Sequence, residues 1–121
     1  MTLDEYNAFC ASLSGATHVV QWGGASVWKI GGKVFAIAGW SKAETLGVTF
    51  KVSEIGYELL KDEPGLRPAP YLASRGMKWI QRTNDDFLDD DALREHLAES
   101  YRIVASGLTK KLRESCFLDR C

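Results

Sequence analysis

The chain contains 121 residues, and its 15 basic and 16 acidic side chains give a formal net charge of −1 at pH 7. This length suits one domain with a single hydrophobic core, and a composition of 45% hydrophobic and 26% charged residues is typical of a globular protein. The net charge points to no class of partner, and no apolar run approaches the roughly 20 residues of a membrane-spanning helix. We therefore expect one domain over residues 1–113, a frayed tail over residues 114–121, and no membrane partner.

Cysteine usage indicates a reducing compartment. The cysteines, Cys10, Cys116 and Cys121, are odd in number and include no CxxC pair, which does not suit a disulfide framework. The amino terminus is typical of an acidic helix start and lacks the charged-then-apolar pattern of an export signal. These features predict a soluble, cytoplasmic protein with reduced thiols.

The first predicted element is a helix over residues 3–13. Thr2 and Glu5 have the spacing of a capping box, in which each side chain accepts a hydrogen bond from the other residue's backbone N–H. Apolar residues then recur every three or four positions, as on one face of a helix, and Gly15 is a suitable stop. This stripe comprises Leu3, Tyr6, Phe9, Cys10 and Leu13.

A β-hairpin is predicted next, with strands over residues 26–30 and 33–38. They flank the Gly-Gly pair at 31–32, a two-residue turn in which positive φ angles cost glycine little. If Ile30 pairs with Lys33, regular alternation places four side chains on one face of the hairpin, which we expect to face the core. These are Trp28, Ile30, Phe35 and Ile37.

Three further elements follow from periodicity. Apolar residues alternate with small or polar ones over residues 46–52, which predicts a half-buried third strand, and a shorter strand is expected at 17–21. A second helix, capped by Ser53, is predicted over residues 54–61 and a last strand over residues 77–82.

The longest helix is predicted over residues 90–113. Carboxylates among residues 85–91 would supply its cap and first turn, and basic residues lie near its end, so the charge order suits the helix dipole. Helices segregated from antiparallel strands predict an α+β fold, a two-layer sandwich in which an antiparallel sheet packs against helices. We expect the buried stripe of this helix to consist of Leu93, Leu97, Tyr101, Val104, Leu108 and Leu112.

The most unusual stretch is the connection over residues 64–82. Three prolines fall within its first seven residues and restrict the backbone to a stiff path. Residues 61–82 carry five basic and two acidic side chains, whereas residues 83–100 carry seven acidic and one basic. A basic segment therefore precedes an acidic one, although the total charge is close to zero.

Strand periodicity predicts how this basic segment presents its cations. On the last strand, Lys78 and Arg82 alternate with Trp79, and we expect the two cations to face solvent and Trp79 to face the core. Lys51 and Thr49 would share the outer face if the third strand neighbours the last one. Together these cations would form a phosphate-binding surface.

No motif in the sequence predicts catalysis or metal binding. His18 and His96 are the only histidines, and neither has zinc-ligand spacing to a cysteine or carboxylate. The carboxylates of residues 85–91 lack the alternating spacing and glycine of a calcium loop, and helix capping explains them. Neither a GxSxG motif nor a phosphate-binding glycine loop is present. We expect no enzyme activity, no cofactor and no metal.

The chain carries a series of short motifs in a recognisable order: Trp22-Gly23, GGKVFAI at 31–37, VTFKVS at 48–53, PGLRPAPYL at 64–72 and MKWIQ at 77–81, followed by the long helix. With the opening helix, they resemble the MmcQ/YjbR family of small bacterial proteins over nearly all of residues 1–112. The resemblance implies a CyaY-like fold with a "double wing" arrangement that is proposed to bind DNA. It assigns the recurrent motif positions of the family to Lys33, Lys51, Arg67, Tyr71, Lys78 and Trp79.

Our leading hypothesis is a DNA-binding module without catalytic activity, which contacts the phosphates of double-stranded DNA. One alternative is a protein-interaction or small-ligand-binding module that uses the groove beside the proline-rich segment. Another is a frataxin-like cation binder that uses the acidic start of the last helix. The candidate DNA contacts are Lys33, Lys51, Arg67, Tyr71, Arg75, Lys78 and Arg82.

Overall fold

The computed structural model of the chain describes residues 1–41, 46–70, 72 and 77–115. Within these residues, no helix is long and apolar enough to cross a membrane. The elements in chain order are α1 (Leu3–Ala11), β1 (Thr17–Gln21), β2 (Ala25–Ile30), β3 (Lys33–Ala38), β4 (Val48–Lys51), α2 (Glu54–Leu60), β5 (Leu66–Pro68), β6 (Trp79–Arg82), α3 (Asp90–Ser106) and α4 (Lys110–Ser115).

The strands form one sheet in the order β1-β2-β3-β4-β6-β5, and every neighbouring pair is antiparallel. Buried side chains of α1, α2 and α3 pack against one face of this sheet, which we call the covered face. A smaller apolar cluster on the opposite face, the open face, includes no residue from any described helix. The predicted α+β fold of helices packed against an antiparallel sheet is confirmed.

The covered face contains the main core. Leu93 and Leu97 of α3 are fully buried there beside Phe35 and Phe50. Ser100, one turn further along α3, donates a hydrogen bond from Oγ to the carbonyl of Phe35 at 2.6 Å and accepts one from the backbone N–H of Lys51 at 2.8 Å. The helix is therefore joined to β3 and β4 by polar contacts as well as by apolar packing.

The hairpin has the predicted pairing at its turn but not along its length. Ile30 pairs with Lys33, as expected, but the register shifts between Trp28 and Lys29, so Trp28 lies opposite Ala36. A bulge of this kind inserts an extra residue and reverses the face on which later side chains lie. The prediction that Ile37 faces the main core is therefore wrong, and Ile37 belongs to the cluster on the open face.

The two faces of β6 are the reverse of the predicted ones. Ile80 pairs with Phe50 and lies in the main core, so its neighbours Trp79 and Gln81 face the open side. Arg82 shares the covered face with Ile80 and is only 6% exposed, so the prediction that it faces solvent is wrong. Alternation in a short strand separates two sets of side chains but does not say which set the helices cover.

The helices differ from their predicted lengths at their ends. The capping box of α1 is present, but the helix ends at Ala11. The predicted long helix stops at the cap residue Gly107 and is followed by the separate α4. On α2, Ile55 and Leu59 are 75% and 68% exposed, so most of its apolar surface lies outside the core.

Candidate binding groove on the open face

The open face carries a cavity of about 590 Å³ between the β-sheet and the segments that flank it. This volume lies within the range of about 300–1,000 Å³ that is typical of ligand pockets. We call it the tryptophan groove, because three indole rings contribute to its walls. Its lining residues are Trp22, Val34, Ile37, Trp40, Leu72, Met77 and Trp79.

Two of these tryptophans have a backbone conformation that bulky residues rarely adopt. Trp22 and Trp40 both have positive φ angles, of 54° and 59°, and their ring centroids lie 5.5 Å apart. Such conformations cost energy and persist only where the surrounding structure enforces them, often at ligand-binding sites. Trp22 is 51% exposed, so the rim of the groove presents an accessible indole surface.

Gln81 holds one wall of the groove in place. Its fully buried side chain donates hydrogen bonds from Nε2 to the carbonyl oxygens of Gly39 at 3.1 Å and Trp40 at 3.0 Å. Its Oε1 accepts a hydrogen bond of 2.7 Å from Nε of Arg67. Gly47 packs so closely that an added Cβ would lie 2.9 Å from Gln81 Nε2. The position of Trp40 is therefore set by a polar network within the sheet.

Three cations are direct neighbours of groove-lining residues. Lys51 pairs with Trp79 across β4 and β6, and Lys29 pairs with Val34 across β2 and β3. Arg67 approaches the carbonyl of Trp40 with Nη2 at 3.4 Å. None of the six described strands contains an aspartate or glutamate, so the sheet contributes only positive formal charge. This geometry suits a ligand that combines flat apolar rings with negative charge.

Comparison with known families decides the identity of the fold. The family model described as YjbR matches residues 11–103, which is more than half of the chain. The chain belongs to the YjbR family. This confirms the resemblance inferred from the sequence motifs.

A solved structure supports the same assignment for this YjbR chain. The crystal structure of Deinococcus radiodurans protein DR2400, a DUF419 domain protein, is similar with a TM-score of 0.78 and 25% sequence identity. The match covers 95% of this chain and 87% of that one. No curated protein matches the chain.

The predicted DNA contacts of the YjbR chain do not lie on one surface. Lys33 pairs with Ile30, a residue of the covered face. Lys78 places its ammonium group 4.7 Å from the ring centroid of Tyr57 in α2. Lys51 and Arg67 lie on the open face, whereas Arg82 is buried below the helices. Two further candidates, Tyr71 and Arg75, lie outside the described residues.

Arg82 has a structural role on the covered face. Its Nη2 donates to Asp90 at 2.9 Å, and its Nε donates to the carbonyl of Asn84 at 3.1 Å. The α-amino group of Met1, 3.0 Å from the same carboxylate, and Arg82 together hold the pKa of Asp90 below its usual range. Arg82 thus joins the end of β6 to the start of α3 and is not available to phosphate.

The acidic run before α3 caps the helix. Asp89 accepts a hydrogen bond of 2.8 Å from the backbone N–H of Ala92, and Asp90 is engaged by Arg82. Across the described residues, no group of three or more histidine, cysteine or acidic side chains could hold a metal ion. Burial raises the pKa of the Cys10 thiol to about 12, so this cysteine is protonated at neutral pH.

The sequence-based prediction missed Lys29, Trp22 and Trp40 as site residues. The sequence did contain a signal for the two tryptophans, because Trp22 precedes a Gly-Gly pair and Trp40 follows Gly39. Glycines beside a large aromatic residue are typical of a tight turn that projects a ring outward. The convergence of both turns on one groove depends on strand order, which the sequence does not state.

Proposed function

We propose that this YjbR protein binds DNA through the open face of its sheet and acts by binding, without catalysis. The observation that supports the proposal is the combination of a tryptophan-lined groove with flanking cations on a sheet whose described strands carry no acidic residue. Lysine and arginine neutralise phosphates, and aromatic rings stack on bases or pack against sugars. A cytoplasmic location is part of the same proposal.

The segregation of charge explains how a chain of net charge −1 could bind a polyanion. Among the described residues, the acidic side chains lie in helices and loops, and the largest group surrounds the start of α3. Lys51 and Arg67, by contrast, lie on the open face. DNA bound there would meet cations on the sheet, while the acidic start of α3 packs on the opposite face.

The proposal changes the set of contacts expected from the sequence. Lys51 and Arg67 remain, and Lys29 joins them because it neighbours the groove. The proposal leaves out three cations that lie on the covered side of the sheet, which the helices occupy: Lys33, Lys78 and Arg82. Three phosphate contacts correspond to a slope, in a plot of log K against log salt concentration, of about −2.7 for a duplex and about −2.1 for a single strand.

A salt titration of DNA binding tests this assignment. Binding of a labelled oligonucleotide should weaken with salt along that slope, and Lys51→Ala with Arg67→Ala should flatten the slope by about 1.8 for a duplex or about 1.4 for a single strand. The matched control is Lys33→Ala with Lys78→Ala, which removes the same charge from the covered side and should leave the slope unchanged. Binding that is undetectable at about 50 mM salt, or equally weakened by the control, would contradict the proposal.

A second candidate function is binding of a small apolar ligand in the tryptophan groove. It is favoured by the lining, which consists of aromatic and aliphatic side chains without a formal charge. An uncharged dye that fluoresces in apolar surroundings serves as the probe. If the chain binds this dye through Trp22 but binds no oligonucleotide, the second function replaces the first.

A further inference from the structure

We infer that the tryptophan groove accepts an unpaired base of single-stranded DNA, whose adjacent phosphates contact Lys29, Lys51 and Arg67. This inference rests on the proposed DNA binding and names the form of DNA that the site prefers. The sequence analysis predicted contact with the phosphates of double-stranded DNA only. The present inference adds a base that stacks in the groove. Its basis is the position of the cations relative to the indole rings.

The lining of the groove is suited to a nucleobase that is not stacked on its neighbours in the strand. A duplex offers phosphates and the edges of its bases, while the faces of the bases remain stacked on one another. Exposed faces are available only on an unpaired base, and aromatic side chains bind such faces without regard to sequence. Trp22 and Trp40, with ring centroids 5.5 Å apart at the rim, offer indole surfaces for this contact.

The cations lie where the backbone of such a strand would pass. Lys51 is the strand neighbour of Trp79, and Lys29 is the strand neighbour of Val34. Arg67 is anchored by Gln81 beside the carbonyl of Trp40. Each cation therefore adjoins a different part of the groove wall, so a strand could place a base in the groove and its phosphates on the sheet around it.

The groove is built before any ligand arrives, which favours stacking at low entropic cost. The buried Gln81 side chain donates a hydrogen bond to the backbone carbonyl of Trp40, and Gly47 packs against Gln81 so closely that a Cβ at position 47 would not fit. Because the backbone of Trp40 is held in this way, it need not be ordered on binding, so more of the stacking energy appears as affinity. An adaptable surface of flexible side chains would lack this advantage.

The experiment compares four fluorescent or competing probes at one salt concentration. They are a poly-dT strand of about 16 nucleotides, a DNA duplex of the same length, an abasic strand of the same length, and the mononucleotide dTMP. We expect the strand to bind at least about tenfold more tightly than the duplex, the abasic strand or dTMP. Trp22→Ala should weaken binding of the strand by about 5- to 150-fold, the range measured for loss of one stacked base, and Trp22→Tyr should restore most of it.

Further controls distinguish stacking of an unpaired base from DNA binding in general. Ile55→Ala removes an apolar side chain of α2 that is 75% exposed, against 51% for Trp22, and should leave all affinities unchanged. Thermal melts confirm that each variant is folded. If the duplex or the abasic strand binds as tightly as poly-dT, stacking is overturned while DNA binding stands. If dTMP binds as tightly, the site is one for free nucleotides and the inference fails. If no oligonucleotide binds, the inference and the proposed function both fail.

Discussion

The two faces of the sheet use the same strands but are closed in different ways. On the covered face, apolar side chains from α1, α2 and α3 complete a continuous core. On the open face, a smaller apolar cluster includes Trp40 and is bordered by the polar network of Gln81. The main core lies on one side and the proposed binding groove on the other, so substitutions on the two sides should have separable effects.

The largest expected effect is a loss of stability from the covered face. Leu97→Ala should lower the free energy of unfolding by about 2–5 kcal/mol, because Leu97 is fully buried in α3 and the change leaves a cavity. Urea melts measure this loss. Leu59→Ala, at an exposed position of α2, is the matched control and should change stability by less than about 0.5 kcal/mol. Equal costs at both positions would mean that α3 does not cover the core.

A smaller effect is expected from the polar network of the open face. Gln81→Leu should cost about 1–3 kcal/mol, because it leaves the carbonyls of Gly39 and Trp40 without their buried donor. The near-UV circular dichroism of the tryptophans should change with it. Thr49 pairs with Gln81 in the sheet, and its buried hydroxyl has no hydrogen-bond partner among the described residues.

Thr49→Val is therefore a sharp control for Gln81→Leu. The change keeps the shape of the side chain and removes a hydroxyl that makes no described hydrogen bond, so stability should stay the same or rise. If Thr49→Val is as costly as Gln81→Leu, the loss of stability in Gln81→Leu cannot be assigned to its hydrogen bonds with Gly39 and Trp40.

The smallest expected effect concerns the ion pair between Arg82 and Asp90. Because the folded state lowers the pKa of Asp90, its carboxylate contributes stability above the unfolded pKa of about 3.9, and this contribution is lost as the pH falls through the folded value. Asp90→Asn should cost about 1 kcal/mol at neutral pH, since the carboxylate is 38% exposed and partly screened. The variant and the parent should converge in acid.

Urea melts between about pH 7 and pH 2 measure this convergence. Asp62→Asn, at an exposed position without a described ion pair, should follow the parent curve at every pH. A gap between Asp90→Asn and the parent that widens as the pH falls would show that the sign of this linkage is wrong.

Local sequence was sufficient for much of the fold. The capping box of Thr2 and Glu5 and the Gly-Gly turn each depend on residues only a few positions apart, and each occurs as predicted. The buried stripe of α3 is present as far as Val104, but Leu112 lies in the separate α4 and is 40% exposed, so its predicted burial is wrong. The motifs that resembled the YjbR family are equally local in character. Close neighbours determine backbone conformation in helices and tight turns, so these features can be inferred without knowledge of strand order.

Only the tertiary structure decided which residues form the proposed binding surface. The bulge in the hairpin moved Ile37 to the open face, and helix packing on the other side of β6 buried Arg82 and turned Trp79 toward the groove. Alternation in a strand specifies two faces, but which face the helices cover depends on contacts between residues far apart in the chain. The sequence by itself determined where the helices begin, the Gly-Gly turn and the family, whereas long-range packing determined which cations and aromatic rings share one surface.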